Sequence, residues 1–261
     1  TWMGRARDAL LTWAMFRVAH KNLRTVNEVR AALGVDPLKS IWEIIDRANR
    51  VLVMTSQAFD FKAKELPANV RYVGPQLEPS TPGGWDSPWL SSDRRPLVIV
   101  GLSTSEQGQE SLLRKLIAVL GEIEVRALVT TGPAVDPDRF DAPANVVVRS
   151  FVPHADVMPE SALVITHAGH GTVIRALAAG VPLVCIPLGR DQPDVATRVV
   201  WHGAGVKLAR KVKPSVLKRE ITKVLDDVSY REAARRMAKA IAEETERDLA
   251  VQELEALASR H

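Results

Sequence analysis

The sequence has little of what would place it in several large classes of protein. It contains one cysteine, Cys185, inside an apolar segment, so no internal disulfide can form and a small disulfide-stapled scaffold is excluded; a reducing, cytoplasmic setting fits. Nowhere do about 18 apolar residues follow one another, so no transmembrane helix is expected. Charge of one sign is not in excess: 35 basic and 31 acidic residues are interspersed along the chain and leave a net charge of +4. That gives no basic patch for nucleic acid to sit on. Aromatic residues make up 5% of the chain, and there is no repeat, no low-complexity tract and no readable secretory leader. What remains is ordinary for a folded protein. The 261 residues are 46% hydrophobic, enough for two modest domains with real cores.

From the start, the apolar spacing predicts a helix over Trp2–Val18 and a second over Leu23–Leu33 that stops at Gly34. Ser40 to Glu43 has the form of a capping box before Ile44 and Ile45. Strands are expected at Val51–Thr55 and Val70–Val73. Two strands cannot form a doubly wound domain by themselves. Residues 76–96 are rich in Pro, Gly and Ser and read as a linker, with Trp85 and Trp89 expected to pack on a core.

From Leu97 onward, strand and helix patterns alternate. Strands are expected at Leu97–Leu102, Val125–Thr130, Val146–Arg149, Ala162–Thr166, Leu183–Ile186 and Val206–Ala209, with helices between them. This predicts an α/β fold with a doubly wound parallel sheet of about six strands, whose ligands bind beyond the carboxyl ends of the strands. Helices are expected at Pro214–Leu225 and, as one or two pieces, over Ser229–Ala258. Arg235, Arg236, Glu243, Glu244 and Glu246 read as a solvated face.

The stretch from Ser150 to Gln192 carries the chemistry. The apolar run Ala162–Thr166 leads into His167-Ala-Gly-His-Gly-Thr172 and then into a helix that stops at Gly180. A strand, a glycine turn and a helix start form an anion site, because the first helical N–H groups have no partner inside the helix and the dipole favours negative charge. Gly169 and Gly171 would let a phosphate approach the backbone, Thr172 adds a hydroxyl and His167 an imidazole donor. Upstream, Phe151-Val152-Pro-His154 offers an aromatic face beside backbone groups; downstream stands the pair Asp191-Gln192. A base, a diphosphate and a sugar would need groups in that order. Each residue also has a plain reading. Thr104 and Asp191 could cap helices, Phe151 could be core, and His170 could be an exposed turn residue.

These residues resemble the donor-binding signature of family 1 glycosyltransferases, the nucleotide-sugar-dependent enzymes of the GT-B fold, and most closely its bacterial natural-product branch. Aromatic-x-Pro-Gln corresponds to Phe151-Val-Pro-His154, His-x-Gly-x-(Asn/Gly)-(Ser/Thr) to His167–Thr172, Gly-Val-Pro to Gly180–Pro182, and Asp-Gln to Asp191-Gln192. The resemblance implies that Thr104, Phe151, Val152, His154, His167, Gly169, His170, Gly171 and Thr172 bind nucleotide and phosphate, and that Asp191 and Gln192 bind the donor sugar. It implies an inverting hexosyltransferase using a UDP- or TDP-sugar and a small hydroxylated acceptor, with no cofactor and no metal. It further implies residues 1–75 as the end of an acceptor-binding domain, 76–96 as the linker, 97–228 as the donor domain and 229–261 as C-terminal helices. On that reading most of the first domain is missing, and with it the histidine that serves as general base, so no catalytic residue is assigned. The chain would be inactive alone, a homo-oligomer or completed by a partner chain. A non-catalytic donor-binding subunit, or a fragment needing a partner chain, is the alternative; a nucleotide-sugar 2-epimerase fits less well, since its pattern of carboxylates and basic residues is not seen. Three positions depart from the pattern: His154 replaces the usual Gln, Val195 a frequent Asn, and Arg175 stands where plant members carry a ribose-binding Glu.

Overall fold

A computed structural model describes residues 2–79, 85–102 and 107–259, apart from the side chains of residues 3, 5, 8 and 19. The chain divides into two compact units: Thr1–Val53 with Glu65–Arg71, and Met54–Lys64 with Tyr72–His261.

In the first unit, α1 runs unbroken over Trp2–Ala32, where two helices were expected. The link between them, Ala19 to Asn22, contains neither Gly nor Pro, so nothing interrupts the backbone ladder. Gly34 ends the helix at φ +66°, with Val35 N–H donating back to the Arg30 carbonyl at 2.9 Å. The Asn27 amide then fixes the next turn by exchanging two hydrogen bonds with the Leu38 backbone. α2 is a single turn, Glu43–Asp46. The expected capping box is displaced: Ser40 Oγ accepts from Trp42 N–H, and Glu43 accepts from Lys39 N–H. β1 (Val51–Val53) and β2 (Val70–Tyr72) form a two-stranded sheet. Much of the apolar surface of α1 is exposed, including Trp2, Leu10, Trp13, Met15 and Val18.

The second unit is built on a six-stranded, all-parallel sheet. Its strands are β3 (Leu97–Gly101), β4 (Arg126–Thr130), β5 (Val146–Arg149), β6 (Leu163–Thr166), β7 (Leu183–Cys185) and β8 (Gly205–Lys207). Their spatial order is β5-β4-β3-β6-β7-β8. Each expected strand is present, most of them trimmed by one or two residues. Alternation along each strand feeds two cores: Leu97 and Ile99 of β3 face one, Val98 and Val100 the other. α5 (His170–Ala178), α6 (Gln192–Trp201) and α8 (Val228–Thr245) cover the first face. α3 (Glu110–Gly121) and α7 (Pro214–Asp226) cover the second. Both faces are covered, so the strands read as apolar runs. α4 (His154–Val157) is one turn after β5, and α9 (Leu249–Ala258) follows a break at Asp248, whose φ is +48°.

Several long-range contacts fasten this unit. Trp85 and Trp89 pack on the first core as expected. Arg231 of α8 donates to the carbonyls of Gly180, Ser161 and Ala162. Glu244, expected on a solvated face, accepts from the backbone N–H groups of Gln57 and Ala58. That ties segment 54–64 to α8. Among the described residues, no helix is long and apolar enough to cross a membrane.

The packing makes one glycine indispensable. A Cβ on Gly205 of β8 would overlap the Leu183 carbonyl oxygen of β7, a backbone atom that cannot move aside cheaply. Gly205→Ala is therefore expected to lower unfolding free energy by about 1–3 kcal/mol, the usual cost of overpacking. A denaturation midpoint equal to wild type would contradict this β7–β8 register.

Candidate functional site

The sheet places the site. Strand order reverses between β3 and β6, and their last paired residues are Gly101 and Thr166. An open parallel sheet leaves a crevice at that point, beyond the carboxyl ends of the strands. Here a cleft of about 290 Å³ lies in it, lined by Phe151, Val152, Pro153 and His154 after β5, Thr172 and Arg175 of α5, Thr130 at the end of β4, and Glu78 and Pro79.

The turn after β6 has a strained backbone. Ala168 is fully buried at φ +67°, a left-handed conformation that costs a non-glycine residue roughly 1–2 kcal/mol. Thr166 Oγ1 accepts from Ala168 N–H at 3.3 Å and helps hold it. α5 then starts from Gly169, and among the described residues no side chain caps its first N–H groups. Gly171 faces open space: a Cβ there would meet nothing within 4 Å. At Gly169 a Cβ would sit 2.7 Å from the His167 ring, so the missing side chain is what lets that ring lie over the turn.

The three histidines are fixed in different ways. Burial holds the His167 pKa below the ordinary value although the Gly101 carbonyl works the other way, and ring Nδ1 lies 3.4 Å from Thr166 Oγ1. The ring of His154 packs against Gly101, with Nε2 3.0 Å from Thr130 Oγ1. Burial, aided by the Arg175 guanidinium, pushes its pKa down to about 4. His170 Nε2 meets Thr55 Oγ1 at 2.7 Å, and burial lowers its pKa as well.

Phe151 is 75% exposed at the cleft, so it is not core. Val152 is buried beside it. Thr104 lies outside the described residues. Asp191 holds the N-cap position of α6 without a side-chain cap bond, and it lines a second pocket of about 290 Å³ with His170, Thr55, Asp60, Asp194 and Arg198. Gln192 is placed differently: it is 3% exposed. Its Oε1 accepts from Leu188 and Gly189 N–H at 2.7 and 2.9 Å, and its Nε2 donates to Gln107. It therefore shapes the turn that carries Asp191.

Sequence reasoning missed the partners on segment 54–64. Arg198 donates twice to Asp60 and Tyr72 once. Burial alone would raise the Asp60 carboxyl, but these bonds overrule it and hold it below the ordinary range; burial and Asp60 push Tyr72 up to about 12. No local motif marks Thr55, Asp60 or Thr130, since each is paired only through the fold. Arg175, which departs from the signature, reaches the Glu78 carbonyl at 3.2 Å and its carboxylate at 3.7 Å. Among the described residues, no group of three His, Cys, Asp or Glu side chains could hold a metal ion.

Comparisons with known proteins agree with this architecture. The family model for the erythromycin biosynthesis protein CIII-like C-terminal domain matches residues 114–257. The chain is 34% identical over 244 residues to 4'-demethylrebeccamycin synthase of Lentzea aerocolonigenes, covering 90% of this chain and 57% of that protein. The chain thus spans little more than half of that relative. The solved glycotransferase of kitacinnamycin superposes with a TM-score of 0.78 at 20% identity, over 96% of this chain and 67% of that one. Glycosyltransferase VinC in complex with DTDP superposes with a TM-score of 0.62 at 24% identity, over 81% of this chain and 53% of that one. At such identities these structures speak for the fold.

The depressed pKa of His154 has a consequence for stability. The unfolded chain protonates this residue near 6.5 and the folded chain near 4. Its contribution is therefore fully present above pH 6.5 and is lost as pH falls toward 4. Denaturant titrations at pH 7, 5.5 and 4.5 should show wild type losing more stability than His154→Gln, and equal losses would show that the folded ring titrates normally.

Proposed function

The chain belongs to the family of erythromycin biosynthesis protein CIII-like C-terminal domains, and from that premise we propose that its second unit binds the nucleotide-sugar donor of a hexosyltransferase. The observation that carries this reading is the uncapped start of α5 at the strand-order reversal, opening beside the cleft lined by Phe151, His154 and Arg175.

In this reading the diphosphate sits at the first turn of α5, on free N–H groups, the Thr172 hydroxyl and the His167 ring. The open space at Gly171 admits it closely. Thr104, which the resemblance assigns to the phosphate, lies outside the described residues. The nucleoside lies in the cleft against Phe151, Val152 and His154. The sugar points toward the second pocket, where Asp191 reads hydroxyls and Gln192 holds the turn that presents it. Arg175 in the cleft, in place of a ribose-reading carboxylate, removes a reason to require a 2′-hydroxyl. That DTDP is bound in VinC, which shares the fold, accords with a TDP-sugar donor.

The donor's charge is met by backbone dipoles and hydroxyls, so the reading calls for no metal. A small hydroxylated acceptor and a general base complete the reaction; a base contributes about 10²–10⁴ in rate. Every residue assigned here is on the donor side. The chain by itself is therefore proposed to bind donor without transferring sugar.

Two measurements test the proposal. Calorimetric titration should show TDP and UDP binding at or below millimolar dissociation constants, with TDP at least as tight; no binding by folded protein to either would end the donor-site reading. Arg175→Glu should shift preference toward UDP. Incubation with UDP- and TDP-glucose and a panel of phenolic and macrolide acceptors should give no product above the no-protein rate. Turnover would instead place a base within the chain, with His20 the first residue to mutate.

A further inference from the structure

His154 meets a hydroxyl that the sequence does not single out. Thr130, at the end of β4, has one proton on Oγ1 and two close partners: the Val100 carbonyl oxygen at 3.1 Å and His154 Nε2 at 3.0 Å. A carbonyl oxygen only accepts, so the hydroxyl proton must point at Val100. The lone pair of Oγ1 then faces Nε2, and the contact is favourable only if Nε2 carries the hydrogen. The other tautomer would turn the Thr130 proton to the ring and leave two oxygen lone pairs facing each other at 3.1 Å. Both contacts are buried or nearly so, where an unmatched polar pair is costly. With the proton on Nε2, Nδ1 is a bare acceptor. It has no hydrogen-bond partner among the described residues, and the ring lines the cleft.

We propose that Thr130 fixes His154 as the Nε2–H tautomer, so that Nδ1 receives a hydrogen-bond donor of a bound nucleoside diphosphate. The ligand part rests on the donor-site reading above. The chemistry narrows what Nδ1 can recognise. Phosphate oxygens only accept, so a neutral acceptor repels them; His154 cannot serve the diphosphate as His167 can. A nucleoside diphosphate has two kinds of donor to offer, the imide N–H of a pyrimidine base and the ribose hydroxyls. Thr130 is a positioning residue in this proposal: it acts through the ring.

The atom assignment can be tested without any ligand. A ¹⁵N-edited spectrum of the full chain should show His154 protonated at Nε2 and bare at Nδ1. Thr130→Ser should keep that pattern, and Thr130→Val should give a mixture of tautomers. A protonated Nδ1 in wild type would overturn the proposal. The recognition step is read by titrating UDP, N3-methyl-UDP, 2′-deoxy-UDP and 3′-deoxy-UDP into wild type, Thr130→Val and His154→Leu. His154→Leu should bind UDP about tenfold more weakly, or about 1.4 kcal/mol, and Thr130→Val several-fold more weakly should the leucine variant not fold. One analogue should lose that factor in wild type yet bind His154→Leu as well as UDP does: the N3-methyl compound if the imide is read, a deoxy compound if a ribose hydroxyl is. If every analogue loses the same factor in wild type and His154→Leu, Nδ1 recognises nothing. If folded wild type binds no nucleoside diphosphate, the functional reading fails and recognition falls with it, while the tautomer stands or falls by its own spectrum.

Discussion

The parallel pairing of β3 with β6 is the constraint on which the rest of the second unit depends. It joins strands separated by two others in sequence, reverses the strand order, and brings Gly101 level with Thr166. Everything at the site is measured from that junction. His167 follows β6 directly, where the Gly101 carbonyl acts on its titration, while the His154 ring, carried in after β5, packs against the same glycine. Any side chain at residue 101 would drive out one of these rings: a Cβ there would sit 2.6 Å from His154 Cε1. The apolar alternation of β3 and β6, buried on both faces, keeps the register from slipping, since a slip of one residue would exchange the two cores.

A second constraint works from outside the sheet. Segment 54–64 is separated from α6 and α8 by more than a hundred residues, yet Asp60 is held by Arg198, Phe59 is buried with its carbonyl facing His202, and Glu244 takes two backbone N–H groups. Those contacts set Thr55 beside His170 at the start of α5. Strong hydrogen bonds to a charged carboxylate, about 1.5–3 kcal/mol each, are concentrated where the segment would otherwise be a loose surface loop. The second pocket is thus built from sequence-distant groups whose positions depend on one another.

The regular part of this arrangement was legible in the sequence because it is local. Strand β5 fell on its expected boundaries, and the order of strands and helices from Leu97 on followed from hydrophobic periodicity and glycine stops. The glycine turn at 167–171 announced itself for the same reason. Illegible features fall into two kinds. α1 was expected as two helices because the polar stretch His20–Asn22 interrupts the apolar spacing, although nothing there interrupts the backbone. Thr130, Thr55 and the Asp60–Arg198 pair left no trace because each looks like an ordinary strand or loop residue until the fold supplies its partner. Gln192 shows a subtler limit: a motif gives the residue type, but only packing shows that its amide is occupied by Leu188 and Gly189.

The electrostatic character of the site follows from these positions. His154, His167 and His170 all lie close to the start of α5, and burial depresses the pKa of each. Near neutral pH they are therefore uncharged rings whose role is set by tautomer, and a hydrogen bond fixes each ring differently. An anion at α5, as proposed, would meet oriented dipoles instead of imidazolium cations. The helix terminus contributes about 0.3–1 kcal/mol when exposed and up to about 2 kcal/mol when partly buried, and each N–H bond to a charged oxygen adds about 1.5–3 kcal/mol. Such groups are directional and, unlike a mobile lysine, need no ordering when the anion arrives. The left-handed Ala168 stands in the buried turn that leads into α5, so the fold itself, and not a ligand, sets the path of the backbone there.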